Sequence, residues 1–170
     1  MYDYVSAFGY GKATGVDYGG EAIGMLLPES AVKNGDLARI SFGQTIAVTP
    51  LQLACATSAA INGGVYYEPH FVSEIYDERG MIAEKIPSKA KNRVISEQAS
   101  EILAGYLEGV VRDGSGKQAY IDGYRVGGKT GTAQKYENGV IAHGKYVMSF
   151  VGFFPASNPK YLDRKSTRLN

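Results

Sequence analysis

From Tyr146 to Phe154 the chain reads Tyr-Val-Met-Ser-Phe-Val-Gly-Phe-Phe, apolar at positions of both parities. Successive side chains of an extended segment point to opposite faces, so a run of this kind reads as a central strand covered on two sides. That requirement fixes a layered arrangement in which a sheet is sandwiched by other apolar elements.

The neighbouring segments supply the layers. Between Ser96 and Asp113 the residues Ala99, Ile102, Leu103, Tyr106, Leu107, Val110 and Val111 recur at three- and four-residue steps, which predicts an amphipathic helix over 97–112. Gly114-Ser115-Gly116 stops it. Thr49-Pro50-Leu51-Gln52 carries the signature of a capping box with proline in the first turn, and predicts a helix over 50–62 that ends at Asn62-Gly63-Gly64. Strands are expected at 124–135, 145–154 and 160–162, with Glu137-Asn138-Gly139 as the turn between the first two. The fold class is α+β, an antiparallel sheet flanked by helices.

The remaining segments are less regular. Phe8 to Gly24 is glycine-rich with scattered aromatics and is expected to be loop packed down by its rings. Val65 to Pro87 alternates short apolar runs with Asp77-Glu78-Arg79-Gly80, as a peripheral ribbon of short strands would. After Leu162 the composition turns abruptly to Asp163-Arg164-Lys165-Ser166-Thr167-Arg168-Leu169-Asn170. This tail lacks the apolar alternation a sheet requires. The third strand is therefore expected to be cut short, with 1–162 forming part of one domain and 163–170 a truncated or non-native tail.

At 170 residues and 44% apolar content the chain is one compact domain or a large part of one. Its net charge of +1, without runs of like charge, gives no sign of a nucleic-acid or membrane-surface partner. Cys55 is the single cysteine and lies among Ala54, Ala56 and Ala59, a setting for core packing that excludes an internal disulfide. The sequence contains neither the ~18 apolar residues of a membrane span nor the basic and apolar regions of a signal peptide.

Candidate chemistry concentrates in Gly127-Gly128-Lys129-Thr130-Gly131-Thr132-Ala133. Gly123 to Thr130 matches the phosphate-loop pattern G-x-x-x-x-G-K-[ST], but that loop works only where a helix starts at the Lys-Thr pair. Gly131 follows here, and too few residues remain before the turn. The competing pattern is K-T-G, which accompanies S-x-x-K and S-D-N in serine acyl-transferases. On a strand, Thr130 and Thr132 share a face at a spacing of about 7 Å, so both hydroxyls can reach one carboxylate. Gly131 is expected to keep the space between them open. The stem of Lys129 can curl round an edge strand and bring positive charge to the same place. A peptide could add to that edge as an extra strand, with a backbone N–H near Thr132 aimed at a developing oxyanion.

Phe8-Gly9-Tyr10-Gly11, Thr14-Gly15-Val16-Asp17, Gly35-Asp36-Leu37-Ala38, Ser41-Phe42-Gly43-Gln44, Thr49-Pro50-Leu51-Gln52, Gly127 to Gln134 and Ser149 to Phe153 occur in this order. In these blocks the chain resembles the transpeptidase domain of class B penicillin-binding proteins, of the sporulation type, over about Tyr2 to Leu162. The resemblance implies a penicillin-binding, β-lactamase-like transpeptidase fold. The implied activity is D,D-transpeptidation, in which an active-site serine is acylated by a D-alanyl-D-alanine stem peptide and the acyl group then cross-links peptidoglycan. β-Lactams acylate the same serine. By carry-over, Lys129, Thr130, Gly131 and Thr132 bind the substrate or drug carboxylate, and the backbone at Thr132 supplies half of an oxyanion hole. No cofactor and no metal are implied. The parent protein would be anchored in the cell membrane, face outward and work with cell-wall synthesis partners.

The family's nucleophile motif and its S-x-N motif lie upstream of Phe8, so no catalytic serine is expected in this chain, which should be inert by itself. Ser30-Ala31-Val32-Lys33 and Ser88-Lys89-Ala90-Lys91 spell S-x-x-K, but the chemistry needs that spacing on a helix. Asn34-Gly35 follows the first and Pro87 opens a basic, turn-like stretch at the second. Tyr136-Glu137-Asn138 imitates Y-x-N within the expected turn. His70 and His143 read as surface residues, and Asp17 and Glu21 as structural carboxylates. Tyr66, Tyr67 and Phe71 fit either a ligand groove or simple strand packing. Two other readings stand beside the transpeptidase: a P-loop-like nucleotide-binding module, and a non-catalytic interaction domain.

Overall fold

The computed structural model describes residues 1–137 and 140–169, which divide into two compact units: 1–59 with 64–95, and 60–63 with the residues from Ser96 onward.

In the first unit α1 (Tyr2–Ala7) leads into an irregular stretch up to Gly24, followed by α2 (Asn34–Ser41) and α3 (Pro50–Ile61) as far as Ala59. The capping box at α3 forms: the Thr49 N–H donates to Gln52 Oε1 at 2.9 Å and the Gln52 N–H to Thr49 Oγ1 at 3.1 Å. Gln52 is buried, and its amide nitrogen donates to the carbonyls of Lys12 at 2.7 Å and Ile23 at 2.9 Å. One side chain thus starts the helix and pins the glycine-rich segment. The rings of this stretch divide, with Phe8 against the core. Burial pushes the Tyr10 phenol up to about 12, but Tyr18 is exposed.

Four short strands complete this unit. β1 (Val65–Glu68), β2 (Glu74–Tyr76), β3 (Ile82–Lys85) and β4 (Lys89–Arg93) form two antiparallel ribbons, β1 with β4 and β2 with β3. The stretch read as turn-like after Pro87 is β4. Its backbone pairs along β1, and Lys89 and Lys91 both stand 3.5 Å from Glu68, so a charged sequence makes a strand at the surface. The core joins Ala59, Tyr66 and Val94, with Phe8, Cys55 and Ile95 against them. Tyr66 is therefore packing, and burial pushes the Cys55 thiol up, in line with its core reading.

The second unit begins its helix α4 (Glu97–Arg112) at Ser96, whose hydroxyl accepts the Ala99 N–H at 3.1 Å. Buried Ser100 donates to the Ala60 carbonyl at 2.8 Å and accepts the Gly63 N–H at 3.0 Å. The sheet is β5 (Gly127–Glu137), β6 (Val140–Phe154) and β7 (Tyr161–Leu169), all antiparallel in the order β5-β6-β7. Ile61, Ala104, Phe153 and Ala156 form the core, with Leu107 and Leu162 packed on it. The expected turn at 138–139 lies outside the described residues, as does Asn138 of the Y-x-N imitation.

Two expectations change. β6 is central in the sheet, but among its described side chains only Phe153 is buried, and Tyr146 and Met148 remain exposed at 39% and 45%. Its two-sided apolar pattern thus exceeds the cover found in the described residues. The third strand does not stop at Leu162: it pairs along β6 from Phe154↔Tyr161 to Tyr146↔Leu169. A ladder at the margin of a sheet needs backbone groups more than apolar alternation. The sequence mismatch is visible in the side chains instead. Arg164 follows Leu162 on the same face, and its Nε is buried without a hydrogen-bond partner.

Candidate functional site

Gly127 and Gly128 open β5 because two rings occupy the space their side chains would take. A Cβ on Gly127 would stand 2.3 Å from Phe153 Cζ, and one on Gly128 2.5 Å from Phe150 Cζ. Phe153 lies in the core and Phe150 on the other face, so this part of β5 is clasped by aromatics from β6 on both sides. The clasp fixes the register that continues without a shift through Gln134, with Thr130 opposite Phe150, Gly131 opposite Ser149 and Thr132 opposite Met148.

Thr130 and Thr132 consequently share a face, as the spacing predicts. Their face borders a cleft of about 500 Å³ lined by Ser115, Gln118, Thr130, Met148, Phe150 and Thr167. Within it Thr130 Oγ1 lies 3.0 Å from Ser115 Oγ. Sequence reasoning read Ser115 only as part of a helix stop, and a hydroxyl between two glycines carries no further signal until the turn is folded. Lys129 is exposed, and its Nζ donates to the Thr130 carbonyl at 2.9 Å. That carbonyl is therefore turned to the open side of β5, and the period of the strand puts the N–H and C=O of Thr132 on the same side. β5 ends the sheet among the described residues, so this edge offers backbone donors and acceptors in a row.

Gly131 has a different role from the one read in the sequence. A Cβ there would meet Ser149 Oγ at 2.6 Å, on the face opposite the two threonines, so the glycine serves packing against β6 and not the gap between Thr130 and Thr132.

The other candidates separate. Lys129-Thr130 lies inside an eleven-residue strand and launches no helix, so the phosphate-loop arrangement is not formed. Ser30 lies in a 3₁₀ turn, Glu29–Ala31, that gives way to extended backbone at Val32, and Ser88-x-x-Lys91 runs into β4. Neither pair has the one-turn helical spacing a lysine needs to act on a serine. Asp17 accepts the N–H groups of Phe71 at 2.7 Å and Val72 at 2.9 Å, which hold its carboxyl below the usual range. Burial pushes Glu21 up, but hydrogen bonds from Thr14 and Gly15 outweigh it and leave the carboxyl lowered. Both carboxylates are occupied in tying backbone. His70 Nδ1 lies 2.8 Å from the Val72 carbonyl. His143 is exposed on β6. Among the described residues no group of His, Cys, Asp and Glu is placed to hold a metal, and no helix is long and apolar enough to cross a membrane.

Residues 1–163 match the family model described as penicillin binding protein transpeptidase domain. The chain is 42% identical over 163 residues to Stage V sporulation protein D of Bacillus subtilis, covering 94% of this chain and 25% of that protein. To the peptidoglycan D,D-transpeptidase FtsI homolog of Mesostigma viride it is 34% identical over 142 residues, 76% of this chain and 24% of the relative. It thus spans about a quarter of the length of these relatives. Among solved structures, penicillin-binding protein 3 of Mycobacterium tuberculosis complexed with ampicillin superposes with a TM-score of 0.91 at 30% identity, covering 98% of this chain and 39% of that one.

Proposed function

Because the chain belongs to the penicillin-binding protein transpeptidase-domain family, we propose that it is the part of a peptidoglycan D,D-transpeptidase that grips the substrate carboxylate. The observation that carries this reading is the edge strand β5, which puts the Thr130 and Thr132 hydroxyls on one face and the Lys129 ammonium at the adjoining open edge. Two hydroxyl donors and one cation match the terminal carboxylate of a D-alanyl-D-alanine stem peptide, or the carboxylate of a β-lactam. The peptide would lie along the open edge as an added strand, leaving the Thr132 N–H to donate to the oxygen that becomes negative when the carbonyl is attacked.

The attacking group is a serine brought by sequence upstream of Phe8. Neither S-x-x-K pair within the chain has the required helical spacing, so the chain by itself should turn nothing over. In the whole protein the serine is acylated, and the acyl group passes to an amine of a neighbouring stem peptide. The reading carries with it a membrane-anchored, outward-facing parent that works with cell-wall synthesis partners in sporulation or division; of these, the relatives' names print sporulation and peptidoglycan D,D-transpeptidation. The strand beyond Asp163 falls outside the family match but pairs along β6 to Leu169, so it completes the sheet beside the grip.

The test is to express the longest chain its reading frame encodes and expose it to fluorescent penicillin. Covalent label that is abolished by replacing an upstream S-x-x-K serine with alanine is the expected result. Label that persists without that serine, or a frame with no upstream S-x-x-K and no label, overturns the reading and favours a non-catalytic interaction domain.

A further inference from the structure

We infer that Ser115 is a positioning residue for the carboxylate grip, holding the Thr130 hydroxyl so that its proton faces the ligand; this rests on the transpeptidase reading above. The geometry begins at the end of α4. The N–H groups of Gly114 and Gly116 both donate to the Val110 carbonyl, at 3.1 and 3.0 Å, and wrap the chain tightly round the last turn of the helix. The two glycines permit that wrap. A Cβ on Gly114 would come within 2.9 Å of the Val110 oxygen, and one on Gly116 within 3.1 Å. The residue between them is carried into the threonine-lined cleft, where Ser115 Oγ stands 3.0 Å from Thr130 Oγ1.

A threonine hydroxyl has one proton and two lone pairs, and it rotates freely unless something engages it. Of the two directions open to this contact, only one serves binding. If Ser115 donates to a lone pair of Thr130, the Thr130 proton is left for the carboxylate, and the donation also makes that proton a better donor. When a carboxylate arrives, its charge selects this direction, because the reverse one would aim a lone pair at an anion. Ser115 thus acts through Thr130 without touching the ligand.

The measurement is the second-order acylation rate of the full-length protein by benzylpenicillin and by its methyl ester, which keeps the ring system and lacks the anionic charge. Ser115→Ala should slow acylation by the acid about tenfold, the worth of one net hydrogen bond, and change the ester rate less than about twofold. Ser115→Thr, which retains the hydroxyl, should restore the acid rate. In a Thr130→Val background Ser115→Ala should cost nothing further, so the coupling is read even if the single variant is less stable. Equal slowing of acid and ester, no slowing of either, failure of Ser115→Thr to restore the rate, or an undiminished effect without the Thr130 hydroxyl would each overturn the assignment. A wild-type protein that takes no label from either compound would instead sink the transpeptidase reading on which it stands.

Discussion

Lys129 turns its ammonium back onto its own strand, donating to the Thr130 carbonyl at 2.9 Å. The cation is thereby held at the open edge of β5 instead of sweeping through solvent. On the proposed reading, a carboxylate at Thr130 and Thr132 would meet this cation close to where it already stands, and part of the entropy of ordering the long side chain would be met before the ligand arrives.

Replacing Lys129 with glutamine should therefore weaken β-lactam acylation of the full-length protein by about tenfold or more, as expected for a charge-assisted contact at a partly solvated site. The penalty should shrink as salt is raised from 20 to about 500 mM, because screening removes what the substitution removes. Rates measured across that range check both parts, and a penalty independent of salt would show that Lys129 acts by shape alone.

The glycines of β5 should differ in what they tolerate. In Gly128→Ala the new methyl meets the Phe150 ring at 2.5 Å and the Val151 carbonyl at 2.7 Å, neither of which can yield without shifting β6, so a loss of about 2–3 kcal/mol is expected. In Gly131→Ala the obstacle is Ser149 Oγ at 2.6 Å, a hydroxyl free to rotate. That variant should lose under about 1 kcal/mol and be rescued by Ser149→Ala. Urea unfolding midpoints of the full-length variants decide, and equal losses would contradict the ring-clasp account.

These contrasts mark how far the sequence could be read. The helix at 97–112 was legible because seven apolar residues repeat at helical spacing, and the capping box at Thr49 because its reciprocal bonds are local. The strand and face of Thr130 and Thr132 followed from period two. Three features depended on pairing that no local pattern encodes: charged Lys89–Arg93 becomes a strand because Val65–Glu68 lies beside it, β7 runs on past Leu162 because β6 offers an open ladder, and Gly131 answers to Ser149 across the strands. The Ser115 contact joins a helix end to a strand face and has no signature in sequence.

Gln52 should prove one of the costliest single polar residues in the first unit. It accepts from Thr49, donates to the carbonyls of Lys12 and Ile23, and is 1% exposed. Gln52→Leu keeps the volume but removes the donor to both carbonyls and the acceptor of the Thr49 N–H, and should destabilise by about 2–4 kcal/mol. Thr49→Ala loses only the cap, about 1 kcal/mol. Hydrogen exchange in the full-length protein should show the Gln52 variant opening the 12–24 segment and the start of α3 together. A Gln52→Leu loss no larger than that of Thr49→Ala would mean the two carbonyls find other partners.

The pair Arg125–Glu108 ties the entry of β5 to α4 through two bonds of 2.7 Å, Nε to Oε1 and Nη2 to Oε2. The bond from Arg125, then its positive charge, holds the Glu108 carboxyl below the usual glutamate range despite some desolvation. A carboxyl whose folded value lies below its unfolded one adds stability above the unfolded value and loses it as pH falls through the folded one. The Arg125 side chain is 62% exposed, so solvent screening keeps the contribution modest. Glu108→Gln should therefore lower the unfolding midpoint of the full-length protein at pH 7, and the gap from wild type should close on acidification from about pH 5 toward pH 3. Arg125→Lys should lose most of the same increment, since one ammonium cannot supply two parallel donors to both oxygens. A gap that widens in acid would reverse the sign of the linkage and place the stabilising state of Glu108 with its protonated form.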